Sequence, residues 1–214
     1  MRLYLASTSP ARLATLRAAG VEPILLPSGV DEEAAVAAAE SAAGERLTGP
    51  DLVLLLARLK AEAVVGRSVD DGPIDGFILG GDSAFELEGG IYGKPHEPAV
   101  ARERWLAQRG RSGVLHSGHW LIDHRGGETH GAVGGVSSAV VEFADVSDAE
   151  IDAYIATREP LEVAGAFTID SLGGAFIREV RGDPHAVVGL SLALLRELLL
   201  TFDVAWPRFW NRGL

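Results

Sequence analysis

Hydroxyl and cationic side chains near the start of the chain have the spacing of an anion-binding helix start. Ser7, Ser9 and Arg12 follow a short apolar run, and Pro10 suits the first helical position after Ser9 as N-cap. A helix N-terminus presents unpaired N–H groups and a partial positive charge, so a cation there is unfavourable without an anion. Phosphate is the simplest anion that satisfies these groups together. The alternative is an ordinary N-cap beside an arginine that reaches solvent.

Four further charged residues could serve a phosphorylated ligand. Lys60 shares the apolar face of a predicted helix, and Asp82 follows a buried strand and two glycines. A carboxylate at such a strand end can hold a divalent metal or act as a general base. Lys94 lies in a Gly-Lys-Pro turn and Glu32 at a helix start. Their structural alternatives are a snorkelling lysine, a turn-capping aspartate, a surface lysine and an acid favoured by the helix dipole.

Other catalytic and binding motifs are absent from the sequence. It contains no Gly-x-Ser-x-Gly elbow of a serine hydrolase, no Walker loop and no dinucleotide-binding fingerprint. A histidine metal site is also disfavoured, although four histidines lie close together in the sequence. His116 and His119 would point to opposite faces of an extended strand.

Composition indicates a globular chain with fewer basic than acidic residues. The 214 residues carry a formal net charge of −11, from 19 Lys and Arg against 30 Asp and Glu. This balance argues against nucleic acid or an anionic membrane as partner. The sequence has zero cysteines and neither a signal peptide nor a membrane-spanning stretch, so we expect a cytoplasmic protein.

Helical and extended patterns alternate along the chain, which is typical of an α/β fold with a mixed sheet. One antiparallel ribbon is predicted in the middle, and Ser147 and Glu150 form a capping box. Helices are predicted at 10–19, at 52–65, at 98–108, from the capping box to 157 and at 190–200, with another ending near Gly44. Strands are predicted at 2–5, 21–26, 77–79, 113–123, 136–143 and 173–180, with a hairpin over 84–93 and a loop over 66–76.

Seven segments together resemble the Maf family of nucleotide pyrophosphatases, which is related in fold to the inosine triphosphate pyrophosphatases. The segments cover most of the chain in the family's order, and the ordered set is far more specific than any one of them. They are Leu5–Arg12, Leu59–Ala61, Gly81–Ser83, Gly93–Pro95, Arg158–Leu161, Ala164–Phe167 and Val187–Leu190.

The resemblance implies a single domain, residues 1–214, with two α/β lobes and an active site in a central cleft. It implies hydrolysis of a nucleoside triphosphate to the monophosphate and pyrophosphate, with a divalent metal, Mg²⁺ or Mn²⁺. The family's catalytic residues fall on Asp82, Glu32, Lys60 and Lys94, with Asp82 and Glu32 at the metal. Its phosphate loop falls on Ser7, Ser9 and Arg12. The expected role is the removal of non-standard or surplus nucleotides.

The chain departs from the family at positions associated with the choice of nucleobase. Ala11 stands where many members have an arginine, Ser83 where a threonine is usual, and Asp170 where a glutamine occurs. An ionised aspartate only accepts hydrogen bonds, whereas glutamine also donates them. Val163 replaces a common lysine. The departures resemble the actinobacterial branch, and the family's better-known base preferences do not transfer to this chain.

Two other functions remain open at this stage. One is a nucleotide-binding regulator of septum formation and cell division without strong catalysis, and the other is a metal phosphatase that releases orthophosphate. A homodimer is plausible from the resemblance.

Overall fold

The computed structural model describes residues 1–69 and 72–211. Its strands are β1 Leu3–Ala6, β2 Ile24–Leu25, β3 Ser68–Val69, β4 Gly72–Pro73, β5 Gly76–Leu87, β6 Gly90–Tyr92, β7 Ser112–His124, β8 Gly131–Phe143 and β9 Ile177–Gly182. Its α-helices are α1 Pro10–Ala18, α2 Glu32–Ala43, α3 Gly49–Glu62, α4 Pro98–Gln108, α5 Asp148–Ala156, α6 Pro184–Val188 and α7 Leu192–Leu200. Short 3-10 turns follow α5 and precede β9.

The larger sheet is mixed, which confirms the predicted α/β class. Its strand order is β2-β1-β5-β7-β8-β9, with β6 beside β5. β1 runs parallel to both β2 and β5, and Ala6 pairs with Gly80 at the end of the β1–β5 pairing. The β5–β6 and β8–β9 pairs are antiparallel.

Contacts divide the chain into two compact units. The first comprises Met1–Asp82, Ser117–Val136 and Gly189–Leu214, and the second comprises Ser83–His116 and Ser137–Val188. In the first unit, Leu5, Leu16, Phe77 and Leu79 belong to a buried apolar cluster, and α7 contributes Leu195 to it. This cluster holds the parallel strands against their helices.

The core of the second unit is aromatic. Trp105 of α4 packs edge-to-face against Phe143 and Tyr154, with ring centroids 5.6 and 5.5 Å apart. Its indole N–H donates a 2.7 Å hydrogen bond to the carbonyl of Ala166. A buried indole N–H requires a partner, so this hydrogen bond helps to fix the 3-10 turn Ala164–Ala166 against α4.

The prediction of a short strand 77–79 that ends before Asp82 is wrong. A single strand, β5, runs from Gly76 to Leu87, so Asp82 lies inside it. The adjacent Gly80 and Gly81 indicated a break, but here they allow close approach of other groups. The predicted hairpin over 84–93 is present: Leu87 pairs with Gly90, and Glu88 and Gly89 form its turn with positive φ angles of 50° and 80°.

Several predicted boundaries also differ from the structure. Strand 21–26 shrinks to β2, helix 52–65 begins earlier at Gly49, and strand 136–143 begins at Gly131. The predicted loop 66–76 contains the short β3–β4 pair, although its residues 70–71 lie outside the described residues. The predicted strand 173–180 starts only at Ile177, because a 3-10 turn occupies Leu172–Phe176. The last helix begins at Leu192, after the short α6.

Across the part of the chain that the structure describes, no helix combines the length and apolar character needed to cross a membrane.

Candidate active site

The start of α1 has the local geometry that the sequence predicts. Ser9 is the N-cap, with its Oγ accepting a hydrogen bond from the Arg12 backbone N–H at 3.4 Å, and Pro10 follows. The backbone N–H of Ser9 donates to Ser7 Oγ at 3.2 Å. The first turn of α1 contains no acidic side chain, so its partial positive charge has no carboxylate within the turn itself.

Arg12 is buried rather than directed to solvent. Its Nε donates to the carbonyl of Gly189 at 2.8 Å, and its Nη1 donates to Ser7 Oγ at 3.1 Å. Burial lowers the pKa of Arg12, while the negative charges of Asp82 and Glu32 act to raise it. The guanidinium is therefore fixed beside Ser7 and electrostatically coupled to both carboxylates. Sequence reasoning missed Gly189 as its anchor, although the Val187–Leu190 segment was a signal.

Lys60 joins the two carboxylates. Its Nζ lies 2.7 Å from Asp82 Oδ1 and 2.7 Å from Glu32 Oε1. The Lys60 and Asp82 side chains are only 10% and 13% exposed, whereas Glu32 is 49% exposed. The ammonium is thus a buried bridge between one enclosed carboxylate and one that solvent and ions can reach.

Two glycines of β5 allow this arrangement. A Cβ on Gly80 would overlap the carbonyl oxygen of Ala57, so the strand and α3 approach backbone to backbone. That close packing brings Lys60, less than one turn after Ala57, next to Asp82. A Cβ on Gly81 would lie 3.2 Å from Arg12 Nε, so this glycine leaves room for the guanidinium.

Burial raises the pKa of Asp82 above its ordinary value, and the charges of Lys60 and Arg12 oppose that rise. A carboxylate with a raised pKa is a stronger proton acceptor than an exposed one. The two cations are placed to keep it ionised. This combination suits a general base or a group that orients water.

Glu32 is held at the first turn of α2, which Asp31 caps by accepting from the Ala34 N–H at 3.0 Å. A depression of about 410 Å³ lies between α2 and α3, with an apolar floor that includes Val36 and Leu56. Glu32 stands at its edge. Neither Lys60 nor Asp82 lines the depression, so we take the Lys60 cluster, not the depression, as the centre of the site.

Three of the four remaining predicted site residues, Ser83, Lys94 and Asp170, lie in the second unit. Ser83 follows Asp82 in β5 and points to the opposite face of the strand, because successive side chains alternate. Lys94 is 51% exposed, with its Nζ 4.0 Å from Glu162. Asp170 is exposed in the loop between Phe167 and the 3-10 turn. Ala11 of the first unit is half-buried in the first turn of α1.

The structure also shows a carboxylate in the second unit to which sequence reasoning gave no role. Glu159 accepts hydrogen bonds from side chains and backbone of residues 168–173, the loop that carries Asp170. The Arg158–Leu161 segment was a signal for it, but its partners lie 5 to 14 residues away, most of them in a loop that no helical or strand periodicity indicates.

The histidines occupy separate environments. His116 contacts Ser138 and Glu86, His119 accepts from the Ser191 N–H, and His124 contacts Thr129. Within 1–69 and 72–211, no three His, Asp or Glu side chains converge as a ready-made metal site.

Comparison with known proteins matches residues 2–202 to the family described as Maf-like protein. The chain belongs to the Maf family. Proteins named nucleoside triphosphate pyrophosphatase resemble this Maf chain along its length. One from Leifsonia xyli subsp. xyli is 67% identical, covering 100% of this chain and 98% of its own. Others from Salinispora tropica and Cutibacterium acnes are 51% and 46% identical, covering 100% and 97% of this chain and 89% and 93% of their own. Their names describe an enzyme and do not favour the regulator alternative.

Proposed function

We propose that this chain hydrolyses a nucleoside triphosphate to the monophosphate and pyrophosphate. The observation that carries the proposal is the Lys60 ammonium, 2.7 Å from both Asp82 and Glu32. Arg12 is buried in the same unit and coupled to both carboxylates. Full-length relatives named for this activity support the same conclusion.

The cations and the start of α1 bind the triphosphate. Arg12 and Lys60 neutralise phosphate charge, and Ser7, Ser9 and the first N–H groups of α1 donate hydrogen bonds. Lys94 is proposed as a further cation on the resemblance alone. Because Arg12 and Ser7 are already fixed to each other, they bind without losing much side-chain freedom.

Asp82 accepts the proton of the attacking water. The water oxygen attacks the α-phosphorus, the bond from that phosphorus to the α–β bridging oxygen breaks, and pyrophosphate leaves with the bond's electrons. The raised pKa of Asp82 suits it to take the proton, while the nearby ammonium and guanidinium stabilise the charge that develops on the phosphates.

The carboxylates also fit a divalent cation that enters with the substrate. Mg²⁺ is commonly held by one or two carboxylates together with substrate phosphates and water, and two carboxylates converge here. Asp82 and Glu32 would hold Mg²⁺ or Mn²⁺, and Glu32 is exposed enough to exchange its ammonium contact for a cation. When bound, the metal supplies Lewis-acid stabilisation of the phosphate oxygens.

Ala11, Ser83 and Asp170 are proposed to select the nucleobase. Asp170 is exposed and its ionised carboxylate accepts hydrogen bonds, so it favours a base edge that presents N–H donors. Removal of non-standard or surplus nucleotides is the cellular role that we propose.

The organisation of the protein is proposed on the same basis. The family match spans both units, which supports residues 1–214 as one functional domain. We further propose a cytoplasmic homodimer that binds no nucleic acid, and the charge of −11 supports the last point. Light scattering of the purified protein tests the dimer.

Product analysis tests the activity directly. Purified protein is incubated with ordinary and modified triphosphates and Mg²⁺, and pyrophosphate and orthophosphate are measured separately before any auxiliary enzyme is added. We expect pyrophosphate and nucleoside monophosphate in equal amounts. Orthophosphate with a nucleoside diphosphate would indicate a phosphatase, and tight binding without product would indicate a regulator.

A further inference from the structure

Glu159 is the most heavily hydrogen-bonded carboxylate among those described here. It opens the 3-10 turn Glu159–Glu162 and receives five donors. Oε1 accepts from Tyr154 Oη at 3.0 Å, Thr168 Oγ1 at 2.6 Å and Gly173 N at 3.1 Å, and Oε2 accepts from Ser171 Oγ at 2.7 Å and Leu172 N at 3.3 Å.

The backbone around Glu159 is fixed independently of these bonds. Arg158 adopts φ +66°, a conformation that is costly for a residue with a side chain. The Glu159 N–H donates to Thr157 Oγ1 at 3.2 Å. The backbone of Glu159 is therefore held at the end of α5 by a contact that does not involve its carboxylate, which leaves the carboxylate as an anchor for other groups.

The loop 168–173 depends on that anchor. Its Asp170 and Leu172 side chains are exposed, and Leu172 retains 56% of its surface. Four of the five donors to Glu159 come from this loop, from Thr168, Ser171, Leu172 and Gly173. Ile169 packs against the core of the second unit, but Leu172 is exposed, so the segment from Asp170 to Gly173 is attached mainly by these polar contacts.

We propose that Glu159 is a positioning residue for base selection, because it fixes the loop that presents Asp170. This inference rests on the proposed function, in which Asp170 contacts the nucleobase. A carboxylate is required because all five partners donate. A glutamine would turn an NH₂ group towards some of those donors, leaving them unpaired.

The depressed pKa of Glu159 agrees with this role. Partial burial acts to raise it, but hydrogen bonds from Thr168, Ser171 and Gly173 outweigh burial and lower the pKa to about 2. The anchor therefore stays ionised under all conditions in which an enzyme assay is run.

A double-mutant cycle separates positioning from a general effect on stability. Glu159→Gln, Asp170→Ala and the double variant are assayed for pyrophosphate release from the four ordinary ribonucleoside triphosphates with Mg²⁺. We expect Glu159→Gln to change the ratio of kcat/KM between bases about tenfold, the scale of one hydrogen bond to a charged group. In the Asp170→Ala background, Glu159→Gln should change that ratio no further. Glu103→Gln, at an exposed position on α4, is the matched control.

Hydrogen exchange supplies a readout that needs no activity. In Glu159→Gln, the Leu172 and Gly173 amides should exchange faster while amides of α4 stay protected. If Glu159→Gln does not fold, Ser171→Ala removes one exposed donor and should shift the base ratio in the same direction by less.

The possible results are distinct. An unchanged base ratio, or a ratio shift that persists in full without Asp170, would overturn the inference. Unchanged exchange at Leu172 and Gly173 would also overturn it. Absence of pyrophosphate from the unaltered protein would instead overturn the proposed function, and the exchange measurement would still decide whether Glu159 holds the loop.

Discussion

Lys60 contacts two carboxylates, so the loss of one leaves the other in place. Removing one partner of a buried ion pair commonly costs about 3–5 kcal/mol, because a buried charge is left alone. After an Asp82 substitution, Lys60 still has Glu32 Oε1 at 2.7 Å. A substitution at Asp82 can therefore test chemistry without exposing the fold to an unpaired ammonium.

Asp82→Asn should reduce kcat roughly 10²–10⁴-fold, the usual contribution of a general base. The amide keeps the shape of the carboxylate but cannot accept the proton from water. Stopped assays of pyrophosphate release across a substrate titration measure the effect, and circular dichroism verifies the fold.

Asp203→Asn is the matched control for Asp82→Asn. It makes the same chemical change in the same unit, at an exposed residue with φ +57°, which asparagine tolerates well. Near-normal turnover of Asp82→Asn would show that another group accepts the proton.

At the residue scale, the sequence predicted where individual side chains lie on their helices better than it predicted the distant groups that they contact. The helical spacing around Lys60 correctly indicated an ammonium at the apolar face of α3, and Ser9–Pro10 correctly indicated the start of α1. The carbonyl of Gly189, which holds Arg12, lies 177 residues away. No local pattern reports a contact at that separation, because it exists only once the chain has folded.

The approach of α3 to β5 is the element-scale feature on which the site depends. Gly80→Ala should destabilise the protein by about 1–3 kcal/mol or more, because the new methyl would overlap the Ala57 carbonyl, a backbone atom that cannot rotate away. Moving α3 outward should also separate Lys60 from Asp82 and lower kcat. Urea unfolding and kinetics on the same preparation measure both effects.

Gly72→Ala provides the comparison for Gly80→Ala. The nearest atom to a Cβ at Gly72 is 3.9 Å away, at ordinary contact distance. If the two alanine variants were equally stable and active, close packing at Gly80 would not be what places Lys60.

The same glycines explain the main error in the predicted elements. Gly80-Gly81 is typical of a turn, and the sequence therefore indicated the end of a strand, yet β5 continues to Leu87. The helix from Pro98 to Gln108 and the Ser147–Glu150 capping box were predicted correctly, since both depend on local signals. Glycines that admit a neighbouring element look the same in sequence as glycines that turn the chain.

The anchored loop 168–173 gives a pH dependence of stability. The pKa of Glu159 falls from 4.5 when unfolded to about 2 when folded. The contribution of ionised Glu159 to the free energy of unfolding is therefore fully present above about pH 4.5 and is lost as the pH falls through about 2. The free energy of unfolding should be lower in Glu159→Gln than in the unaltered protein at pH 7, and this gap should narrow between pH 4.5 and 2.

Chemical denaturation at several pH values measures that gap. Glu103→Gln should show no comparable narrowing, because the Glu103 side chain is exposed on α4. A gap between Glu159→Gln and the unaltered protein that stayed constant down to pH 2 would contradict the assigned ionisation of Glu159.

Net charge links the whole molecule to its substrate. With 30 acidic and 19 basic side chains, the protein repels a free triphosphate at long range. In the proposed mechanism, binding therefore comes from Arg12 and Lys60 and from a divalent ion carried by the substrate. In that mechanism the two carboxylates beside Lys60 attract the ion and repel the bare triphosphate, so we expect the binding of one ligand to depend on the other.

Chelation of divalent metal should therefore reduce pyrophosphate release by roughly 10²-fold or more, since Lewis-acid stabilisation is worth several kcal/mol. Activity is measured with excess EDTA, with EDTA already saturated by Mg²⁺ as control, and after Mg²⁺ is restored. Glu32→Gln should raise the Mg²⁺ concentration needed for half-maximal rate more than it lowers the maximal rate, because Glu32 is the exposed carboxylate of the pair. Full turnover in free EDTA would mean that Lys60 and Arg12 alone neutralise the triphosphate, and that Asp82 and Glu32 hold no metal.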